Sequence, residues 1–468
     1  MSQEKIVYPY IPNSSPQVQE EMLREIGVSS VDDLLVDIPE DLRLQKKMDL
    51  PEPLLSEAEL RRHMDGLLAK NTSVNEVISF LGAGCYNHQI PAVVDQIVSS
   101  HEFLTAYAGE PYEDHGRFQA LFEYQSLMAE LLDVEVCNVP TYDGAQASGT
   151  SLSMASRITG RNVALIAGAV NPDRLAVIRT YLDPGMSVKT LDYDRETGLV
   201  DMKILADSID GSVAAVYLEN PCYFGSMETQ GQVISDLAHE NGALMVVFTD
   251  PSSLGVMSPP SRYGADITCG DIQSLGIHMY YGTGGGFIAT SDAPEIVSEY
   301  PSRLFSLAPT SHGEWGFGDV LWERTSFANR DHAKEFVGTH SALWGIGAAV
   351  YLSLMGPRGM ADLGRGIVQR SLYAKKCLSR IPGISIDRFQ SVSFKEFVVD
   401  LNATGLTVKW VNQKLLERGI FGGLDLSSSF PELGQSALYC VTEMVTGQDI
   451  ERLADELEKI VADGGRSQ

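Results

Sequence analysis

Apolar residues recur along this chain with two periods, and the switches between them divide it into three parts. In residues 1–72, short amphipathic stretches such as QVQEEMLREIG and LSEAELRRHM alternate with prolines at 39 and at 51–53. Ser15 before Pro16 predicts a helix N-cap with a preset first turn, and Ser30 with Asp33 starts a second helix. Ser56 and Glu59 are spaced as a capping box, with Leu55 and Leu60 as its hydrophobic staple. Pieces this short rarely make a core of their own, so 1–72 is expected to be a helical N-terminal arm that lies on a main domain or a neighbouring subunit.

Over 73–330 the period alternates. GRFQALFEYQSLMAELL (116–132) puts Phe118, Leu121, Phe122, Met128 and Leu132 on one helical face. Short apolar strands follow at NVALIAG (162–168), AAVYLEN (214–220), ALMVVFTD (243–250) and GGFIAT (285–290). Between them lie helical segments such as PDRLAVIRTYL (172–182) and QVISDLAHENG (232–242). Continuously apolar strands alternating with helices predict an α/β domain whose mostly parallel sheet is covered on both faces. Ligands of such sheets bind beyond the carboxyl ends of the strands, where Asn220, Asp250 and the segment after Asp266 are expected.

Over 331–468 the pattern changes again. An apolar helix, GTHSALWGIGAAVYLSLMG (338–356), leads to strands at FKEFVVDL (394–401) and SALYCVTEM (436–444). The closing helix carries Ile450, Leu453, Leu457 and Ile460 on one stripe. This predicts a smaller C-terminal α+β domain.

At 468 residues and 44% hydrophobic the chain buries a large core. Its 35 basic residues against 62 acidic ones give a net charge of −27, which repels nucleic acid and anionic membranes. No apolar run reaches the roughly 18 residues needed to span a bilayer, and the polar opening MSQEKIVYPYIPNSS has no secretory character. The six cysteines are scattered and the nine histidines show no metal-ligand spacing, so a cytoplasmic chain with reduced thiols and no metal site is expected.

The chemistry-bearing positions are few. Between Lys203 and Lys334 there is no lysine. Asp250 closes an apolar strand; its Asp-Pro-Ser-Ser context also fits a turn cap. YDGAQASGTS (142–151) predicts either an anion-binding helix N-terminus or an ordinary start capped by Asp143 or Thr141. Gly284, Gly285 and Gly286 precede a strand, which suits a tight turn and not a nucleotide loop. His278, His312 and His340 are open between acid–base, channel-lining and purely structural roles. Trp315, Phe317 and their glycines read as an exposed loop, either a lid or plain surface.

Several stretches in chain order carry a resemblance: YIPNS, EMLREIG, DIPEDLRL, FLGAGCYNHQIPAVVD (80–95), LFEYQSLMAEL, YDGAQA, YGADI (263–267), YLSLMGPRGM (351–360), FKEFVV and CVTEM. Nearly end to end, the chain resembles the glycine cleavage system P-protein family, and within it the alpha chain, glycine dehydrogenase (decarboxylating) subunit 1. The resemblance implies the aspartate-aminotransferase-like, fold type I architecture of pyridoxal-phosphate (PLP) dependent transferases. It implies a heterotetramer with a PLP-bearing beta subunit, which decarboxylates glycine and passes the aminomethyl group to a lipoylated H-protein-like carrier. In the PLP-bearing chain the imine lysine lies eight positions after the strand aspartate. Counted from Asp266 that position is Ser274, whose hydroxyl cannot form an imine. No catalytic residue and no cofactor are therefore expected on this chain alone. Tyr86, His88, Asn220, Asp250, Arg324, Arg330 and Thr339 are the candidates for the pocket and subunit junction.

The chain departs from the family in places. Asn171-Pro172 stands for a His-Pro pair, TGGGF (283–287) for a Gly-Gly-Pro return, and YAGEPYE (107–113) for a Tyr-Thr-Pro-rich stretch. The family's junction segment aligns to DHAKEFVGTHSAL (331–343), which retains only Ala333, Thr339, Ala342 and Leu343. The chain thus reads as a diverged member. Glycine or another amino acid as substrate, and a cofactor-free homodimer acting as a binding or regulatory module, stay open at this point.

Overall fold

Apolar stretches at 163–166, 213–219, 244–249, 267–271 and 286–290 pair into one sheet because burial leaves their backbone groups few partners but each other, while the mostly exposed stretch 187–190 forms one edge. The computed structural model describes residues 7, 10–44, 46, 48–103, 117–279, 284–301, 304–334, 342–386 and 388–464. The chain divides into two units, 1–72 and 73–468.

In the first unit, helices α1 (Pro16–Ile26) and α2 (Glu57–Leu68) bury none of their residues. Gly27, at φ 85, ends α1, with its N–H on Leu23 and Arg24 carbonyls. Neither Ser15 nor Ser56 makes a side-chain cap, so the expected capping box is not formed. The start of α2 instead carries Glu57 and Glu59, whose charges favour a helix N-terminus. The second expected helix is a single 3-10 turn, Asp32–Leu35, because Asp33 accepts from Ser29 and Ser30 N–H and Pro39 bars continuation.

The second unit holds the seven-stranded sheet in the order β2-β8-β7-β6-β5-β3-β4. Its strands are β2 (Val136–Cys137), β3 (Val163–Ile166), β4 (Ser187–Thr190), β5 (Val213–Glu219), β6 (Leu244–Thr249), β7 (Ile267–Asp271) and β8 (Gly286–Thr290). Strands β4, β3, β5, β6 and β7 run parallel, while β8 is antiparallel to β7 and to β2. Alternation sorts the core into two layers. Ala164, Ile166, Ala215 and Val246 pack with helices α5 (Gly144–Thr159) and α6 (Pro172–Leu182) on one face. Leu165, Val216 and Val247 pack with α7 (Met202–Ser208) and α8 (Gly231–Glu240) on the other. Helices α3 (Ala92–Val98) and α4 (Arg117–Leu132) contribute to a further cluster that includes the long α10 (Ala342–Leu378), and α9 (Pro294–Val297) follows β8.

Strand β1 (Ile78–Ser79) pairs in parallel with β12 (Ile420–Phe421), far along the chain. The hairpin β9 (Phe305–Pro309) and β10 (Trp315–Asp319) occupies the stretch expected to be a loop. Gly316 and Gly318 leave one face of β10 without side chains, which hid its alternation. Phe317 meets Phe122 of α4 at a centroid distance of 5.5 Å.

Helix α10 (Ala342–Leu378) breaks at Gly356 (φ 57, ψ −178) and resumes at Pro357. The expected end at 356 is therefore a kink followed by a proline-led second segment. Beyond it, β11 (Glu396–Asp400), β13 (Leu424–Asp425) and β14 (Ser436–Cys440) form an antiparallel sheet in the order β11-β14-β13. Helices α11 (Val408–Leu416) and α12 (Gly447–Gly464) share one core with it, to which α12 gives Ile450, Leu453, Leu457 and Ile460. Among the described residues no helix is long and apolar enough to cross a membrane, and no group of three or more His, Cys, Asp or Glu is placed to hold a metal.

Candidate functional site

Where β5, β6 and β7 end, the chain must satisfy a row of carbonyls and turn outward, and polar residues cluster there. A narrow cleft opens at these ends, with Tyr86, Arg174, Glu219, Phe248, Asp250 and Lys395 among its lining residues, and it adjoins a smaller pocket that Asp250, Asp271 and Ser274 line.

Asp250 follows β6 and caps the turn Pro251–Gly255 by accepting from Ser252 N–H at 3.0 Å. Its Oδ1 also accepts from the hydroxyls of Ser252 and Ser274, each at 2.9 Å. Its Oδ2 is ion-paired with Lys395, whose side chain is only 3% exposed. The Lys395 ammonium lies 3.2 Å from the Tyr86 ring centroid and 3.2 Å from His88 Nε2. His88 Nδ1 faces Glu443 Oε2 at 2.9 Å, and Glu443 also accepts from Gln89 N–H at 2.7 Å. With the ammonium donating to Nε2, the ring hydrogen belongs on Nδ1, towards Glu443. A continuous polar chain thus runs Glu443–His88–Lys395–Asp250–Ser274.

Electrostatics follow from this order. Burial alone would raise the Asp250 carboxyl, but the Lys395 ammonium leads the effects that outweigh it and hold it at about 2. Burial pushes Glu396 up; the Ala83 N–H, Lys395 and the Tyr86 hydroxyl offset it only in part. Glu396 accepts from Ala83 N–H at 2.6 Å and from Tyr86 Oη at 2.9 Å. Gly225 makes room for this strand. At φ 85, a Cβ on it would stand 1.9 Å from the Glu396 carbonyl oxygen.

Across the cleft, Asn171 caps α6 through Asp173 N–H at 2.9 Å and donates to Ala83 O at 2.9 Å. One turn on, Arg174 pairs with Glu219 and lies flat on Phe248, 3.5 Å from the ring centroid. At the end of β7, Asp271 accepts from Gly144 N–H, the first of α5, at 2.9 Å and from Gln273 N–H at 2.8 Å. Burial lifts the Asp271 carboxyl to about 6 against those two N–H groups. Gly284 packs on it so closely that a Cβ would reach 1.9 Å from Oδ1. The α5 start is capped by Asp143, which accepts from Gln146 N–H at 2.7 Å.

The structure therefore brings Tyr86, His88, Asp250 and Ser274 together. It does not bring Asn220 to the polar chain: its amide is spent on Glu228 O and Tyr263 Oη, at 3.3 and 3.1 Å. Asn220 ends β5 correctly, but the side chain serves the following turn. Arg324 pairs with Asp292 beside a different depression that Phe122 and Gln125 also line. The Arg330 side chain, Thr339, His340 and the stretch 107–113 lie outside the described residues, as does most of 331–343. His278 meets Asp95 at 2.8 Å, and His312 sits in the exposed hairpin turn. Sequence reasoning missed Lys395, Glu396, Glu443, Arg174, Glu219 and Asp271. The available signal was a lysine and a glutamate set within the apolar strand pattern of FKEFVVDL, where unpaired charge is costly.

A PLP held by this chain would need an amine for the imine, a carboxylate for the ring nitrogen and an anion site for the phosphate. The imine position holds Ser274, the Asp250 carboxylate is taken by Lys395, and the first N–H of α5 is taken by Asp271. These residues do not fit that cofactor.

Residues 9–457 match the family described as glycine cleavage system P-protein. A probable glycine dehydrogenase (decarboxylating) subunit 1 of Staphylothermus marinus is 38% identical, over 97% of this chain and 98% of the relative. One from Geobacillus kaustophilus is also 38% identical, over 97% and 99%. A crystal structure of a glycine decarboxylase (P-protein) of the glycine cleavage system, in inhibitor-bound form, superposes with a TM-score of 0.82 at 33% identity, covering 97% of this chain and all of that one. A sphingosine-1-phosphate lyase of Burkholderia pseudomallei, at 14% identity and a TM-score of 0.66 over 90% of this chain and 94% of its own, shares the fold alone. The fold is that of the type I PLP-dependent transferases, and the chain belongs to the glycine cleavage system P-protein family, with subunit 1 of the glycine dehydrogenases.

Proposed function

We propose that this chain is the alpha subunit, without an imine lysine, of a PLP-dependent glycine decarboxylase. A beta subunit carries the cofactor, and this chain supplies walls of the shared active site and of the channel for a lipoylated H-protein-like carrier. Tyr86, His88 and Asp250 shape its part of the pocket, with Arg324, Arg330 and Thr339 towards the subunit junction. The assembly works in the cytoplasm. The observation that carries this reading is Ser274, hydrogen-bonded to Asp250 at 2.9 Å where the imine amine would stand. A hydroxyl has no nitrogen from which to build the imine, so the chemistry must come from another chain.

Mixing the purified chain with a subunit 2 type chain should give one complex on size exclusion and glycine–bicarbonate exchange that neither chain shows alone. Separate elution, with exchange independent of this chain, would sink the proposal. A second reading, a cofactor-free homodimer that binds or regulates, draws on the closed Lys395–Asp250 pair. It requires the same mixture to stay separate and this chain to run as a dimer. If the complex forms but exchanges another amino acid and not glycine, the assembly stands and the substrate changes.

A further inference from the structure

The part of the cleft that Asp250, Asp271 and Ser274 line is flanked by side chains of opposite sign. At one end Lys395 reaches in from the bend just before β11 and pairs with Asp250, buried against Tyr86 and His88. At the other, Asp271 takes the first N–H of α5 at 2.9 Å, while Asp143 takes Gln146 N–H. A pyridoxal phosphate has the same polarity. Its protonated ring nitrogen seeks a carboxylate, and its phosphate seeks a helix N-terminus.

We propose that Lys395 and Asp271 are a built-in surrogate for the cofactor: the ammonium occupies the carboxylate that would hold the ring, and the carboxylate occupies the helix start that would hold the phosphate. The cleft is thereby closed to pyridoxal compounds at both ends, independently of the missing imine lysine. Two carboxylates at the α5 start oppose a phosphate dianion by like charge. An ammonium already on Asp250 leaves a ring nitrogen no counter-charge. Restoring a lysine at 274 therefore does not restore binding. The chain thereby carries its own counter-cation for the buried Asp250 carboxylate. The surrogate does not depend on what a partner subunit holds, so its failure and the failure of the two-chain exchange assay are separate results.

Pyridoxamine 5′-phosphate is the probe, because it has both charged ends and needs no imine. Calorimetry on the full-length chain should show no binding at millimolar probe for wild type or for Ser274→Lys. Lys395→Met combined with Asp271→Asn should bind at least tenfold more tightly. Saturable binding by wild type as tight as by that variant overturns the proposal, as does a cooperatively melting variant with no gain. Lys395→Ala supplies a second readout. Propylammonium, which replaces the deleted stem and charge, should raise its melting temperature but not that of Lys395→Ala with Asp250→Asn. Equal shifts in the two variants overturn the assignment of the ammonium to Asp250.

Discussion

Breaking the Lys395–Asp250 pair from one side should cost far more than replacing both partners. Asp250 is held at about 2, below the 3.8 of an ordinary Asp, although burial pushes it the other way. A depression of roughly two pKa units corresponds to about 2–3 kcal/mol of net stabilisation of the charged form. Because the folded value is the lower one, this stability is complete above about pH 4 and is lost as pH falls towards 2. Lys395→Met leaves a buried carboxylate without its main counter-ion, and Asp250→Asn leaves a buried ammonium beside His88, Tyr86 and Ser252, with Glu396 as a remaining carboxylate that it influences. Each should destabilise by about 3–5 kcal/mol at pH 7. The double variant, neutral at both positions, should cost less than the sum by about 2–4 kcal/mol. Urea unfolding of all four proteins at pH 7 and pH 3 measures that coupling, which should shrink at the lower pH. Additive single effects within about 0.5 kcal/mol would refute the pairing as the source of the Asp250 shift.

Three further outcomes follow from the same geometry. Gly225→Ala forces a side chain into a left-handed backbone and against the Glu396 carbonyl, 1.9 Å from its Cβ; it should cost more than about 3 kcal/mol and lower the melting temperature sharply. Asp271 has its folded value raised to about 6, so the native state holds this proton where the unfolded chain has lost it. Its contribution therefore weakens stability as pH rises from about 4 through 6, and Asp271→Asn should flatten that part of the urea midpoint against pH, with an unchanged slope counting against the assignment. Ser274→Ala removes one hydrogen bond to a carboxylate that keeps Ser252 and Lys395, and should cost about 0.5–1.5 kcal/mol; a loss beyond about 3 would give Ser274 a larger part than the structure does.

The inner strands of the large sheet were legible because their composition is apolar, whereas the edge strands β2 and β4, short or polar, were not. VALI is apolar throughout and VAAVYLE is apolar up to its closing Glu219, and Asn171-Pro172 marks the first residue of α6 by cap and fixed φ. The capping signals at Ser15 and Ser56 placed the helix starts at Pro16 and Glu57, although neither side chain makes the cap hydrogen bond. Strand β10 was invisible because alternate glycines present no side-chain pattern. The site was half legible. Tyr86, His88 and Ser274 came from motif position, but Lys395 lies 143 residues from Ser252, which it touches. Only the packing of the bend before β11 against the turn after β6 creates that neighbour, and no local rule encodes it. Asn220 failed for the opposite reason: its place at a strand end was right, but side-chain direction is decided by the turn that follows.

Residues 78–89 are stitched to the far end of the chain. Ile78 pairs with Ile420, Cys440 N–H donates to Phe80 O at 2.9 Å, Thr442 Oγ1 donates to Asn87 O at 2.6 Å, and Glu443 holds the N–H of Gln89. During synthesis the early segment must wait for partners 355 residues downstream, as His88 does for Glu443. At 5–20 residues per second that is about 20–70 s with Phe80 and its neighbours uncovered. The large sheet can assemble meanwhile, from strands close in sequence. A ribosome-bound chain stopped short of Glu443 should therefore hold a folded sheet with an open cleft, and it is this late-closing segment that a holdase chaperone would find.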